Sequence, residues 1–204
     1  MNSKLKKELK KLKIAQKERC VLVNFDKFGS DTLILDFIAK LLESGYDFIL
    51  VKQGCVKDGL FIQVIQKIAQ LISIYGATLS IEGSVAVSYF IQPDSVVLAD
   101  DDLPIDKVND LLGENVFIGL ICDDIQTEKT AIKSGVDYLM ISTPSISTNN
   151  VVIEYAKWVY ENINIPVFVR DDKPLSDDIV LNATQNEEFI VFINSTKTYY
   201  IQNK

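Results

Sequence analysis

Short apolar runs alternate with amphipathic stretches along nearly the whole chain from residue 20 onward. The runs are rich in Val, Ile, Leu and Phe without strict polar alternation, which is typical of parallel strands covered on both faces. They predict eight strands, at residues 20–24, 47–51, 77–81, 94–98, 116–121, 137–142, 165–169 and 188–193. The stretches between them predict helices near residues 31–44, 58–75, 84–91, 104–112, 125–134, 149–162 and 175–184.

Eight strands with intervening helices fit either a closed TIM (β/α)8 barrel or an open doubly wound sheet. An open dinucleotide-binding sheet usually has a glycine-rich turn after its first strand, whereas the turn at residues 24–29 contains one glycine. A chain of 204 residues is short for a barrel, and residues 194–204 are too few for a full last helix with its loop. We therefore expect an α/β TIM barrel over residues 20–204, as a single domain with a truncated last helix.

Residues 1–19 form a segment of opposite charge. They contain eight basic and two acidic side chains, a net charge of +6, whereas residues 20–204 carry −13. Leu5, Leu9 and Leu12 recur at helical spacing, so the segment predicts a basic amphipathic helix. One interpretation is contact with an anionic membrane surface or with RNA. The favoured one is that the narrow leucine stripe docks on the acidic barrel.

The composition excludes several kinds of chemistry. The chain has no His, which rules out Ser-His-Asp triads, Cys-His dyads and His-ligated zinc. Its three Cys are widely spaced and form no C-x-x-C pair, which argues against disulfides and predicts a cytoplasmic protein. A formal net charge of −7 argues against DNA binding, and no apolar run is long enough to span a membrane. The sequence leaves a homo-oligomer open.

The candidate site lies in the loops after the predicted strands, because chemistry in such barrels occurs at the C-terminal strand ends. Most candidate residues in these loops are acidic, and the basic candidates are Lys52 and Arg170. Hard carboxylate oxygens of this kind suit Mg²⁺, which is the cofactor that we expect. Some of these acids are also expected to cap the helices that follow them.

Three segments between Tyr75 and Thr148 read YGATLSIEGSVAVSYFIQPDSVVLADDDLP, NVFIGLICDD and KSGVDYLMISTPSIST. Together with LVNFD, SGYDFILVK and NIPVFVRDD, they resemble the thiamine phosphate synthase and thiazole tautomerase (TenI) family over nearly the whole chain from residue 20. The resemblance implies a TIM barrel. It also implies a Mg²⁺-dependent transferase of thiamine biosynthesis, which joins a pyrimidine pyrophosphate to a thiazole phosphate through a carbocation-like step. The family's tautomerases use a His, so that activity is not expected here.

The metal-binding half of the family's site is partly retained. After strand 3 the family's Asn-Asp-Arg reads Glu-Gly-Ser from residue 82, and after strand 4 its Gly-Gln-Glu-Asp reads Ala-Asp-Asp-Asp from residue 99. The last position keeps a metal carboxylate, and Glu82 supplies an oxygen where an Asp is lost. The resemblance therefore implies a Mg²⁺ site formed by Glu82, Asp101 and Asp102.

The phosphate-binding half is largely replaced. The family's Gln, Arg and Lys after strand 2 read Leu, Lys and Gly at residues 50, 52 and 54, and its Thr-Lys-Thr after strand 6 reads Ser-Thr-Asn from residue 147. The family's Gly-Gly after strand 7 reads Asp-Asp at residues 171–172, and its Ser-Ala on the last strand reads Asn-Ser at residues 194–195. The remaining candidates for binding a small phosphorylated molecule are Lys52, Ser142, Thr143, Ser147, Thr148, Arg170, Asn194 and Ser195. No catalytic residue is assigned.

Losing several cations and gaining carboxylates should weaken phosphate binding by orders of magnitude, because a charge-assisted contact contributes roughly 1.5–3 kcal/mol. The favoured hypothesis is a thiamine phosphate synthase-like barrel with a degenerate phosphate site. Its synthase activity would be reduced or lost, and it would bind another ligand or partner. The alternative is an active thiamine phosphate synthase with a divergent site.

Overall fold

The computed structural model describes residues 14, 16–17, 19–99, 102–122, 135–141, 166–171 and 190–194. Its strands are β1 (Arg19–Asn24), β2 (Phe48–Lys52), β3 (Thr78–Glu82), β4 (Ser95–Leu98), β5 (Phe117–Cys122), β6 (Tyr138–Ile141), β7 (Val167–Asp171) and β8 (Ile190–Asn194). A 3-10 turn spans Phe25–Lys27, and the helices within the described ranges are α1 (Asp31–Glu43), α2 (Asp58–Ile74), α3 (Val85–Ile91) and α4 (Ile105–Leu112). The predicted helices near residues 125–134, 149–162 and 175–184 lie outside the described residues.

The eight strands close into one barrel in the order β1 to β8. Strands β1 to β7 run parallel to one another, as expected for strands joined by crossover helices. In the first three strands Asn24, Lys52 and Glu82 are directly in register, so these strands end at the same level. The TIM-barrel fold predicted from the strand count is therefore confirmed.

Strand β8 runs in the opposite direction to the one expected, because it pairs antiparallel with both β7 and β1. The end of β7 and the start of β8 accordingly lie at the same end of the barrel. Ile193 pairs with Arg19, the first residue of β1, and Asn194 pairs with Phe168. The last residue of β8 therefore lies at the end of the barrel where β1 begins.

Alternate residues of the strands fill the barrel interior with a compact apolar cluster. Phe48 stacks on Phe168 with ring centroids 5.4 Å apart, and the ring of Tyr138 meets both of them edge-on. Gly119 makes room for this ring, since a Cβ atom at residue 119 would clash with Tyr138 Cε2. The centre of the barrel is thus packed with side chains and is not an open channel.

Helices α1 and α2 cover the outer face of the first strands. Helix α2 buries one stripe of side chains with helical spacing, namely Phe61, Val64, Ile65, Ile68 and Ile72. This stripe belongs to the same core cluster as Val21, Val23, Ile49 and Val51, which point outward from β1 and β2. Full burial of each such side chain contributes roughly 1.5–3 kcal/mol, so this layer is a main source of stability.

The barrel end where β1 to β7 begin, called the floor below, contacts the residues that precede β1. Ile14 is fully buried and packs with the interior cluster that includes Cys20 and Phe48. The ammonium group of Lys17 lies 3.4 Å from the carbonyl oxygen of Gly76 and 4.0 Å from Asp47 Oδ2. Leu5, Leu9 and Leu12 lie outside the described residues, so the docking of that stripe stays a prediction.

None of the helices in the described ranges is long and apolar enough to cross a membrane.

Candidate functional site

The barrel end where β1 to β7 terminate, called the mouth below, carries an ion pair between neighbouring strands. Lys52 ends β2 and Glu82 ends β3, and the two residues are paired in register. Lys52 Nζ donates a hydrogen bond to Glu82 Oε1 at 2.7 Å. The Glu82 side chain is 13% exposed and that of Lys52 is 49% exposed. The positive charge of Lys52 is therefore already compensated by a more deeply placed carboxylate.

Asp102 contributes a second carboxylate close to the end of β3. Its Oδ2 accepts a hydrogen bond from the backbone N–H of Ala99 at 2.7 Å, and its own N–H donates to the Ala99 carbonyl at 3.1 Å. Both carboxylate oxygens would lie 3.9 Å from a Cβ atom built on Gly83, the residue after Glu82. The turn after β4 thus holds Asp102 against the chain segment that carries Glu82.

These two carboxylates supply the kind of oxygen ligand that Mg²⁺ takes. Mg²⁺ in proteins commonly keeps several waters and binds one or two carboxylates together with substrate phosphates. The donor set therefore fits, although Lys52 shares Glu82 Oε1. Asp101, the third predicted ligand, lies outside the described residues. Within the part of the chain that the structure describes, no group of three or more Cys, Asp or Glu side chains is arranged to hold a metal ion.

A third carboxylate lies in the 3-10 turn after β1. Asp26 Oδ2 accepts a hydrogen bond from the backbone N–H of Cys55 at 3.3 Å, and Asp26 Oδ1 is buried without a hydrogen bond from any described group. The side chain packs against Gly54, where a Cβ atom would clash with Asp26 Cγ. Asp26 therefore ties the loop after β1 to the loop after β2.

Sequence reasoning missed Gln53, whose side chain makes three hydrogen bonds at the mouth. They join it to Ser84 Oγ, to the Val56 carbonyl and to Asp58 Oδ1. A glutamine side chain carries no charge and ligates metals weakly, so neither a charge pattern nor a metal-ligand pattern indicates a role for it. The available signal was its position, two residues after the end of the predicted strand at 47–51.

The other predicted substrate-binding residues are not brought together in the described structure. Arg170 lies in β7, one residue before the end of that strand. Asn194 ends β8 and lies near the floor, away from the mouth, because β8 runs in the reversed direction; its role in substrate binding stays a prediction. The remaining candidates lie outside the described residues, namely Ser142, Thr143, Ser147, Thr148 and Ser195.

Two titratable groups inside the barrel have raised pKa values. Burial raises the pKa of the Tyr138 hydroxyl far above its usual range, which outweighs the opposing effect of its hydrogen bond with Ser95 at 2.6 Å. Burial also raises the pKa of the Cys20 thiol, with smaller contributions from the negative charges of Asp47 and Glu82. Both groups are therefore neutral near pH 7, and neither supplies an acid, base or nucleophile for chemistry at the mouth.

The fold and the mouth define the class of this protein: a TIM-type barrel with carboxylates at the ends of consecutive strands. The family model for thiamine monophosphate synthase matches residues 20–170. Because this match covers most of the chain, the protein belongs to the thiamine phosphate synthase and TenI family.

Individual relatives agree with this assignment. The chain is 26% identical over 147 residues to a thiamine-phosphate synthase of Lawsonia intracellularis, covering 69% of this chain and 68% of that protein. It is 28% identical over 140 residues to a thiamine-phosphate synthase of Nostoc punctiforme, covering 66% of this chain and 40% of that protein. The chain thus spans less than half of the Nostoc relative.

A solved structure supports the fold. The thiamine phosphate pyrophosphorylase from Pyrococcus furiosus superimposes with a TM-score of 0.67 at 19% identity, covering 83% of this chain and 82% of that one. At this level of identity the likeness concerns the fold and carries no information on activity.

Proposed function

We propose that this protein is a thiamine phosphate synthase-like barrel whose mouth binds a divalent cation in preference to free phosphate. In this proposal the synthase activity is reduced or lost, and the barrel binds another ligand or a partner. The proposal is supported by one observation above all. The ammonium of Lys52, the basic group retained where the family binds pyrophosphate, forms a 2.7 Å ion pair with Glu82.

The balance of charge at the mouth supports the same proposal. Among the described side chains in the loops after β1 to β4, Asp26, Asp58, Glu82 and Asp102 contribute four carboxylates, whereas Lys27, Lys52 and Lys57 contribute three ammonium groups. A phosphate that approaches this mouth meets net negative charge, and it must compete with Glu82 for the ammonium group of Lys52. Charged pairs at a half-exposed site interact less strongly than buried ones, but repulsion of this sign still opposes anion binding.

The cation that we propose is Mg²⁺, held by Glu82 and Asp102 together with Asp101. When bound, such an ion would offset the carboxylate charge and would neutralise negative charge on a leaving pyrophosphate. The chain's own contribution is to hold Glu82 at the end of β3 and Asp102 beside Gly83, the residue that follows it. The ladder between β2 and β3 fixes Glu82, and the turn at Ala99 fixes Asp102.

Two measurements on the full chain test the proposal. Mg²⁺ or Mn²⁺ should bind in calorimetry, and Asp102→Asn should weaken binding at least fivefold while it keeps an oxygen acceptor for the Ala99 N–H. Inorganic pyrophosphate alone should bind poorly. Formation of thiamine phosphate from the pyrimidine pyrophosphate and the thiazole phosphate should be slow or absent.

The second candidate function is an active thiamine phosphate synthase. The retained carboxylate at Asp102 and the retained cation at Lys52 favour it, and an ionisation mechanism needs no His. Turnover at an ordinary enzyme rate, on the order of 1 per second or faster, would establish this alternative and exclude a degenerate site.

A further inference from the structure

The side chain of Gln53 connects three segments of the mouth. Its Oε1 accepts a hydrogen bond from Ser84 Oγ at 2.8 Å, and its Nε2 donates to the Val56 carbonyl and to Asp58 Oδ1, both at 2.7 Å. Ser84 follows β3, Val56 belongs to the loop after β2, and Asp58 begins α2. One amide group therefore links the ends of two neighbouring strands with the start of a helix.

Ser84 takes part in this link at the expense of its ordinary role. It is the N-cap residue of α3, but its side chain makes no capping hydrogen bond with the helix. A serine at this position usually accepts a hydrogen bond from a backbone N–H in the first helical turn, which stabilises a helix by about 1 kcal/mol. Here the hydroxyl donates to Gln53, so the loop after β3 is held toward β2.

The link fixes the residues on either side of the ion pair. Gln53 directly follows Lys52, and Ser84 lies two residues after Glu82. Gly83 lies between Glu82 and Ser84. It has a positive φ of 75° and donates its N–H to the Val97 carbonyl of β4 at 2.8 Å. The chain around Glu82 is thereby held from β2 through Gln53 and from β4 through Gly83.

We infer that Gln53 is a positioning residue, which holds the ends of β2 and β3 so that Lys52 and Glu82 meet in register. Its effect on cation binding rests on the proposed function, but its effect on the strand ends does not. Without the Gln53 amide, Ser84 is released to cap α3, and the segment after Glu82 loses its attachment to β2.

The test compares Gln53→Leu with Gln66→Leu, which changes an exposed glutamine on α2. Amide hydrogen exchange of the full chain reads out the strand ends directly. In Gln53→Leu, the Gly83 N–H should exchange at least tenfold faster. The Ile118 N–H, which is bonded to Asp137 Oδ2 at 2.9 Å near the floor, should keep its rate. Gln66→Leu should change neither rate.

A compensating variant separates positioning from general destabilisation. In Gln53→Glu combined with Asp58→Asn, the new carboxylate can accept hydrogen bonds from Ser84 and from the new amide, whereas the Val56 carbonyl loses its donor, so the loss of protection at Gly83 should be at least threefold smaller than in Gln53→Leu. Unchanged exchange at Gly83 in Gln53→Leu would overturn the inference. Equal acceleration at Gly83 and Ile118 would overturn it as well, because that result indicates global unfolding.

The cation readout then tests the connection to the site. Mn²⁺ should bind Gln53→Leu at least threefold more weakly than the original chain, and Gln66→Leu should bind it normally. If the original chain binds no Mn²⁺, the proposed function fails, whereas the exchange data still decide the positioning role of Gln53. Faster exchange at Gly83 with unchanged Mn²⁺ affinity would overturn the connection between Gln53 and the site.

Discussion

Replacing Lys52 by Met should make divalent cations bind more tightly, which is the opposite of what a phosphate-binding lysine would give. The substitution removes the ammonium that lies 2.7 Å from Glu82 Oε1 and keeps most of the apolar side chain. A Mg²⁺ ion coordinates oxygen at about 2.1 Å. An ion on Glu82 would therefore lie roughly 4–5 Å from the lysine nitrogen.

The size of the effect follows from Coulomb's law. A doubly charged ion and an ammonium about 5 Å apart repel each other by roughly 1.7 kcal/mol in a water-like dielectric, and by more in a lower one. The water-like value is appropriate because Lys52 is 49% exposed. The lysine can also turn away from the ion, which reduces the repulsion. Since 1.4 kcal/mol corresponds to a factor of ten, we expect binding to tighten roughly three- to tenfold.

Titration calorimetry with Mg²⁺ and Mn²⁺ at low ionic strength measures this change, because salt screens charges at an exposed site. Lys40→Met is a matched control: it makes the same change of charge at an exposed residue in the last turn of α1. The control should leave the affinity within twofold. Equal or weaker cation binding by Lys52→Met would refute the reasoning, since it would mean that Glu82 takes no part in holding the ion.

Two further predictions concern the barrel itself. Gly119→Ala should destabilise the fold by about 2–4 kcal/mol, because overpacking against the Tyr138 ring adds to the partial loss of its hydrogen bond with Ser95. Urea unfolding measures this loss of free energy of unfolding. In a Tyr138→Leu background, where the ring is absent, Gly119→Ala should destabilise the fold much less. Equal destabilisation in both backgrounds would contradict the packing argument. Deleting residues 1–14 should lower the melting temperature by several degrees, since this removes Ile14, which is fully buried in the floor. An unchanged melting temperature with loss of binding to anionic liposomes or RNA would favour the interaction interpretation instead.

The sequence was sufficient to predict where most strands lie. The predicted strand at 20–24 begins one residue after β1, and those at 47–51 and 77–81 begin and end one residue before β2 and β3. These runs are short, apolar and bounded by turn residues, so burial on both faces leaves little freedom in their limits. The direction of β8 could not be predicted in the same way, because an apolar run reads alike for a parallel and an antiparallel strand.

In the candidate site, too, some features could be predicted from the sequence and others could not. The acids at residues 82 and 102 were predicted from their positions after β3 and β4, and both lie at the mouth. Pairing of Lys52 with Glu82 depends on the register of β2 with β3, which a single sequence does not specify. The role of Gln53 depends on three contacts to separate segments. The pattern of residues along one segment carries no information about such contacts, because these groups come together only when the loops after β2 and β3 are folded.

The two departures from the family's pattern bear on the same half of the site. The first departure is that Lys52, the cation retained after β2, is paired with Glu82. The second is that the reversed β8 places Asn194 near the floor, away from the mouth, where the resemblance to the family had placed it for phosphate binding. The proposed metal half depends instead on β3 and β4, which keep the regular parallel arrangement. A barrel altered in this way can lose affinity for phosphate without losing its carboxylates. Cation binding and synthase turnover should therefore be separable properties of this protein.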